Sequence, residues 1–211
     1  MTTTQKTLRD SAAIRWMALL LLALAMFCAY IFMDILSPIK DLMQTQRGWD
    51  SDAFGTMQGS ETFLNVFVFF LIFAGIILDK MGVRFTALLS GGVMLLGAII
   101  KWYAISDSFI GSGLETWFTN NLNHIPVFEQ LNVSPFYEGM PASAKLAACG
   151  FMLFGCGAEM GGITVSRGIV KWFKGREMAL AMGSEMALAR LGVATCMIFS
   201  PMFAKMGGTV D

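Results

Sequence analysis

Long uncharged runs are the feature that most constrains this chain. Residues 16–33, 62–78, 85–100 and 146–158 contain no Asp, Glu, Lys or Arg. A helix of about 20 apolar residues crosses the hydrocarbon core of a bilayer. Hydrophobic residues make up 55% of the 211, above the roughly 45–50% apolar content of soluble domains. A soluble domain of this length cannot bury that much apolar surface, so the sequence predicts an all-α integral membrane protein.

Five segments are predicted to span the bilayer, at about residues 16–37, 58–79, 85–105, 145–168 and 178–204. The first run is too long for the apolar core of a signal peptide and is therefore expected to remain as a helix. The remaining parts of the chain are predicted to be a tail over 1–15, a long loop over 106–143 and a truncated loop over 205–211.

Basic residues predict the orientation of these helices. Those beside one set of helix ends are Lys6, Arg9, Arg15, Lys80, Arg84, Arg167, Lys171, Lys174 and Arg176. The loop 106–143 contains four acidic residues and no Lys or Arg. Because positively charged loops stay in the cytoplasm, the N-terminus is predicted to be cytoplasmic and the loop 106–143 to lie outside.

The stretch GIILDKMGVRF, residues 75–85, joins the second and third predicted helices. It fits the pattern G-x-x-x-D-R/K-x-G-R-R/K through Gly75, Asp79, Lys80, Gly82 and Arg84, although Val83 replaces the first of the two final basic residues. In this loop the pattern resembles the signature of major facilitator superfamily transporters. A tight turn is expected at Gly82, with Asp79 meeting a helix N-terminus or a basic group in a partner domain.

Four stretches, one of them inside 75–85, are similar to one branch of that superfamily, the lysosomal dipeptide transporters and their bacterial relatives. They are AYIFMDILSPIKD, LDKMGVR, FGCGAEMGG and WFKGREMALAMGSEMALARLG, and the resemblance covers most of the chain outside the long loop. The resemblance implies that a glutamate of helix four and an arginine of helix five hold the two peptide termini, near a tyrosine of helix one. The matching positions are Glu159, Arg190 and Tyr30.

The chemistry of these positions agrees with that assignment. A charge at the centre of a membrane helix costs about 2.5–3.5 kcal/mol on insertion scales, so it normally faces a polar cavity or a partner. Glu159 and Arg190 are predicted to differ in depth by about 5 Å, so they can bracket a zwitterion. The alternative is that they pair with each other. Asp34 is a proton- or substrate-site candidate whose outer location favours gating or capping, and Glu185 is expected at a helix contact.

No catalytic or metal-binding set can be assembled from this sequence. Its one histidine, His124, stands in the long loop, and the four cysteines lack C-x-x-C spacing. The chain is therefore not expected to be an enzyme or to carry a cofactor or metal.

The resemblance implies the N-terminal half of a two-half transporter that works by alternating access, with a missing C-terminal half and the lipid bilayer as partners. The E-x-x-E-R motif of proton-driven peptide transporters is absent from helix one, which favours uniport of dipeptides. Without an acidic dileucine signal in the tail, a bacterial inner membrane is the expected location. The alternatives are transport of another small zwitterion or organic anion, and a non-transporting membrane scaffold or sensor.

Overall fold

The computed structural model describes residues 11–122 and 136–207, and these residues form helices and turns without a strand. The helices are α1 (Ala12–Asp34), α2 (Lys40–Arg47), α3 (Ser51–Gly59), α4 (Phe63–Phe67), α5 (Phe70–Ile105), α6 (Gly113–Asn121), α7 (Ala142–Phe173) and α8 (Met178–Gly207). Short 3-10 turns cover Ser37–Ile39 and Ser60–Thr62. The all-α prediction is confirmed. His124 lies outside the described residues.

Four helical stretches are long and apolar enough to cross a membrane. They are Ala12–Arg47, Phe70–Ile105, Ala142–Phe173 and Met178–Gly207. Only in the third are the majority of residues in the most apolar part buried inside the structure. The other three expose large apolar side chains such as Leu21, Leu88 and Ile198. Such all-round hydrophobicity is typical of helices that face lipid or another apolar partner.

Helices α5 and α7 pack together through glycines. Gly97 lies against the backbones of Gly150 and Phe154, and Gly157 lies against Ser90. The hydroxyl of Ser90 donates a hydrogen bond of 2.8 Å to the Gly157 carbonyl. Successively later residues of α5 therefore contact successively earlier residues of α7, so this part of α5 runs antiparallel to α7. Small residues at these contacts allow the two backbones to approach closely, as membrane helices commonly require.

The chain reverses its direction at Gly82, inside α5. Gly82 has φ 80° and ψ 169°, which is not helical. On its N-terminal side, the Trp49 indole donates to Ser143 at 2.8 Å, and Asp79 pairs with Arg167. Residues 49–79 therefore advance in the same direction as α7, whereas residues 83–105 run against it. The α5 element consists of two limbs, 70–81 and 83–105, joined by the turn predicted at Gly82.

The segment predicted as one helix over 58–79 is divided in the structure. It contains the end of α3, a 3-10 turn, α4, and a break at Val68 and Phe69, where Phe69 has φ 54°. The run is apolar on every face, so its sequence carries no periodicity that would mark such a break. The predicted loop 106–143 likewise contains α6 and the first residues of α7.

Helix α1 runs parallel to α8 and antiparallel to α7. Gly192 of α8 packs against the backbone of Phe27, and further along, Ser200 donates to the Ile35 carbonyl at 2.7 Å. The start of α1 instead meets the end of α7, where the rings of Trp16 and Phe173 lie 5.5 Å apart, edge to face. These contacts pack α1, α7 and α8 together. The start of α1 and the end of α7 lie at the same end of this group.

Candidate functional site

Arg190 and Tyr30, two of the predicted site residues, lie together in the structure. The guanidinium carbon of Arg190 on α8 is 5.5 Å from the centroid of the Tyr30 ring on α1. Tyr30 is partly buried, and Arg190 is exposed to the space beside the bundle. A guanidinium over an aromatic face is held by the ring quadrupole. This contact orients the arginine while leaving its N–H groups available to a ligand.

Glu159 lies at nearly the same depth as this pair. Leu22 of α1 contacts Gly168 of α7, which marks a common height on the two helices. Glu159 precedes Gly168 by nine residues, a rise of about 13.5 Å, and Tyr30 follows Leu22 by eight residues, a rise of about 12 Å. Because the two helices are antiparallel, both rises point the same way. Glu159 and Arg190 are therefore separated laterally more than vertically.

The direct Glu159–Arg190 ion pair, the alternative to ligand binding, is not seen. Among the described residues, Glu159 has no hydrogen bond and no ion pair within 4.0 Å, and the ion pairs that do occur join other residues. Its side chain is only half-buried. The carboxylate of Glu159 and the guanidinium of Arg190 are thus both present in the apolar bundle without neutralising one another.

Glu61 is a second carboxylate near Glu159 that the sequence reasoning missed. It lies in the 3-10 turn before α4, and its backbone packs against Gly155, one helical turn before Glu159 on α7. Its charge interacts with those of Glu159, Asp34 and Lys101. The sequence placed Glu61 near the start of a predicted helix, where an acidic residue is common and carries no functional signal.

Lys101 is the cation nearest to this acidic group, and it is buried. Lys101 is 4% exposed, although a lysine at the end of an apolar run can also extend its ammonium to the membrane surface. Its ammonium donates to the carbonyls of Phe32 and Met33, both at 3.4 Å, and lies 3.9 Å from the centroid of the Phe151 ring. Those carbonyls belong to the last turn of α1, where the helix dipole attracts a cation. Close packing of α5 on Gly150 brings the lysine inward.

Asp34, the proton- or gating-site candidate, ends α1 beside this lysine. One of its oxygens accepts hydrogen bonds from Ser37 at 3.4 Å and from the Gln58 amide at 3.3 Å. These bonds connect the end of α1 to the turn that follows it and to α3. Asp34 and Glu61 are partly buried and Lys101 is buried. We name these three residues the α1-end cluster.

A large cavity lies beside this cluster, not at Glu159. It measures about 550 Å³ and lies between the end of α1, the second limb of α5 and the end of α8. Lys101, Thr195 and Ser200 supply its polar groups, and the remaining lining is mostly apolar. Glu159 and Arg190 do not line it.

The residues of the G-x-x-x-D motif lie at the opposite end of the bundle. Asp79 accepts a hydrogen bond from Arg167 of α7, and Gly82 forms the turn. Lys80 and Arg84 are exposed, and Gly75 is partly buried. The sequence suggested that Asp79 meets a group in a partner domain, but its partner here is Arg167 of the same chain.

No cluster of three or more His, Cys, Asp or Glu able to hold a metal ion occurs in residues 11–122 and 136–207. Glu185 is buried on the stripe of α8 that also carries Ala181, Ala189 and Gly192, the stripe that packs on α1. It therefore lies at a helix contact rather than beside Arg190.

None of the family models, curated proteins or solved structures compared with this chain gives a match.

Proposed function

We propose that this chain is part of a multi-pass membrane transporter that moves dipeptides by alternating access. The observation that carries the proposal is the arrangement of Arg190 on Tyr30, with Glu159 at the same depth and no ion pair between the two charges. Charged residues inside a membrane bundle normally serve a substrate, an ion or a partner. A zwitterion supplies both missing partners at once.

Each terminus of the dipeptide has a defined partner in this proposal. Glu159 receives the ammonium group, and the fork of Arg190 receives the carboxylate, since guanidinium and carboxylate match in two-point geometry. Tyr30 holds Arg190 in place and borders the peptide. Because these contacts read only the backbone ends, selectivity among side chains is loose.

We propose that the chain crosses the bilayer five times. The reversal at Gly82 divides α5, so residues 51–81 form one crossing and residues 83–105 the next, in addition to α1, α7 and α8. Arg84, Arg167 and Lys174 belong to the same end of this bundle, which by the distribution of basic residues is the cytoplasmic end. The N-terminus is then cytoplasmic and the location a cell inner membrane.

The turn at Gly82 and its Asp79 also support membership of the major facilitator superfamily. In such a transporter this chain is the N-terminal bundle, and a second bundle completes the substrate site. Movement of one bundle against the other exposes the site alternately to each side. We propose uniport, in which the dipeptide gradient alone sets the direction.

Thermal unfolding of the complete purified protein in detergent tests the proposal. Free dipeptides, their N-acetylated forms and their C-amidated forms are added to the wild type and to Glu159→Gln, with the exposed Glu138→Gln as a matched carboxylate control. Binding that contributes about 1 kcal/mol raises the midpoint by about 2–4 °C. Free dipeptides are expected to stabilise the wild type and Glu138→Gln, and to lose this effect on N-acetylation or in Glu159→Gln.

The alternative functions predict different results in this experiment. An organic-anion carrier binds through Arg190 and keeps its ligand response in Glu159→Gln. A scaffold or sensor has no small-molecule response that depends on either charge. Equal stabilisation by free and N-acetylated dipeptides would overturn the assignment of the ammonium to Glu159.

A further inference from the structure

A polar cleft lies at the start of α7, far from the proposed substrate site. It measures about 470 Å³. We name it the α7-start cleft; its polar side chains are Gln46, Arg47, Glu115, Thr119, Ser143 and Lys145. Lys145 precedes Glu159 by fourteen residues, about 21 Å along the helix. The cleft and the Glu159 region are therefore separate.

Lys145 is a buried cation of this cleft. The residue is 1% exposed, and its ammonium donates a single long hydrogen bond, 3.5 Å to the Phe118 carbonyl. Among the described residues no carboxylate lies within 4.0 Å of it. A buried ammonium with one weak acceptor and no anion is strongly disfavoured unless a counter-charge completes its surroundings.

The start of α7, beside Lys145, also has no negative group to offset its positive charge. Helix α7 has Pro141 at its N-cap, no side-chain cap and no acidic residue in its first turn. The first N–H groups of a helix lack internal partners and carry partial positive charge. A lysine in the first turn adds to this charge instead of offsetting it. Anions bind readily at such helix starts.

Ser143 offers a further donor to the cleft. Its oxygen accepts a 2.8 Å hydrogen bond from the Trp49 indole, so it does not cap α7 by accepting a bond from the helix. The indole N–H can only donate, which leaves the serine hydroxyl proton for another acceptor. An oxyanion in the cleft supplies that acceptor.

The acidic residue that lines the cleft is already engaged. Glu115 accepts a 2.6 Å bond from the Gly111 N–H, while its own N–H is capped by Ser112 at the start of α6. Ser112 is thus the N-cap of α6, and the Glu115 side chain reaches back to the N–H of the residue before that cap. Arg47 is the second cation, and it pairs with Asp107 at 2.9 Å. Glu115 keeps its negative charge but lies more than 4.0 Å from the Lys145 ammonium, so Lys145 is the cation of the cleft that has no ion-pair partner among the described residues.

From the buried Lys145, the uncapped α7 start and the Ser143 donor, we propose that the α7-start cleft binds a small oxyanion carrying a phosphate or carboxylate group. The ammonium of Lys145, the free N–H groups of α7 and the hydroxyl of Ser143 donate to its oxygens. The two sources of such a group are a free anion and the phosphate of a lipid headgroup. The binding does not depend on the proposed transport.

Thermal unfolding of the complete purified protein in a neutral detergent tests this assignment. The probes are inorganic phosphate, acetate and, in a separate arm, micelles doped with phosphatidylglycerol, each at constant ionic strength against chloride. The wild type is compared with Lys145→Met and Ser143→Ala. Lys174→Met serves as the matched control because Lys174 is exposed at the other end of α7.

Phosphate or acetate is expected to raise the midpoint of the wild type and of Lys174→Met by about 2–4 °C, to raise that of Ser143→Ala less, and to leave Lys145→Met unchanged. Without added anion, Lys145→Met should melt at or above the wild-type temperature, because it removes a buried uncompensated charge; this verifies that the variant folds. A response to doped micelles alone assigns the site to a lipid headgroup. No response of the wild type to any probe, or an equal response in Lys145→Met, overturns the proposal.

Discussion

Asp79 and Arg167 form an ion pair that joins the turn before Gly82 to the last part of α7. Both side chains are at least half exposed, 69% for Asp79 and 50% for Arg167. Exposed pairs of this kind contribute about 0–1 kcal/mol to stability. The pair therefore adds little to the stability of the fold, and its value lies in setting the position of the Gly82 turn relative to α7.

Replacement of Asp79 should separate stability from the proposed transport. Asp79→Asn is expected to shift the free energy of unfolding by no more than about 1 kcal/mol, while uptake by reconstituted protein falls several-fold because the turn is no longer held to α7. The exposed neighbour Lys80→Gln is the control. The charge exchange of Asp79 with Arg167 should recover part of the uptake. Equal uptake by Asp79→Asn and the wild type would show that the pair has no role in transport.

Gly97→Ala should disrupt the packing of α5 on α7. A Cβ at residue 97 would lie 2.5 Å from the backbone nitrogen of Phe154, and backbone cannot move aside as a flexible side chain can. Overpacking of this kind typically costs about 1–3 kcal/mol. Gly92→Ala, on the same helix with nothing within 4 Å of the added carbon, should be neutral or slightly stabilising. Denaturation of both variants in the same detergent measures the difference, and similar losses would contradict the close contact.

Much of the helical architecture could be predicted from the sequence. The uncharged runs predict the helices, and the turn predicted at Gly82 is where α5 divides into its two limbs. The break at Phe69 could not be predicted, because a run that is apolar on every face carries no periodic signal.

The candidate site was predictable only in part. Glu159 and Arg190 stand out because they are charges in apolar helices, whereas Tyr30 was implied only by the resemblance. The burial of Lys101 depends instead on how closely α5 approaches α7, which is a tertiary property set by Gly97 and Gly150. A lysine at the end of an apolar run looks the same in the sequence whether it reaches water or turns inward.

Lys101 should stabilise the protein because its positive charge offsets the negative charges of two carboxylates. Its charge interacts with those of Asp34 and Glu61. Lys101→Met removes the cation and leaves the carbonyls of Phe32 and Met33 without their donor, with an expected loss of about 1–3 kcal/mol. Adding Glu61→Gln should recover part of that loss, since one of the uncompensated charges is removed. Thermal unfolding of the single and double variants measures the coupling, and a double variant as unstable as the sum of both changes would contradict it.

A pH-dependent contact holds the loop before α7 to the start of α3. The phenol of Tyr137 donates a 3.0 Å hydrogen bond to Asp50, which also accepts a 2.7 Å bond from the Ala53 N–H as the N-cap of α3. The bond from Ala53, followed by that from Tyr137, lowers the pKa of Asp50 below its usual value of 3.8. Desolvation, followed by the bond to Asp50, raises the pKa of Tyr137 to about 12.

The two pKa shifts predict that the contact between Asp50 and Tyr137 weakens both at acid pH and at alkaline pH. A lowered Asp50 pKa contributes stability that is complete above about pH 4 and is lost as the pH falls through the lower, folded value. A raised Tyr137 pKa contributes stability that is complete below about pH 10 and is lost as the pH rises towards 12.

Amide hydrogen exchange of the α3 N-terminus should therefore accelerate below pH 4 in the wild type beyond the intrinsic pH effect. Asp50→Asn should remove that acid dependence and Tyr137→Phe the alkaline one, whereas the exposed Asp52→Asn should retain both. Acid and alkaline profiles unchanged in Asp50→Asn and Tyr137→Phe would contradict this contact.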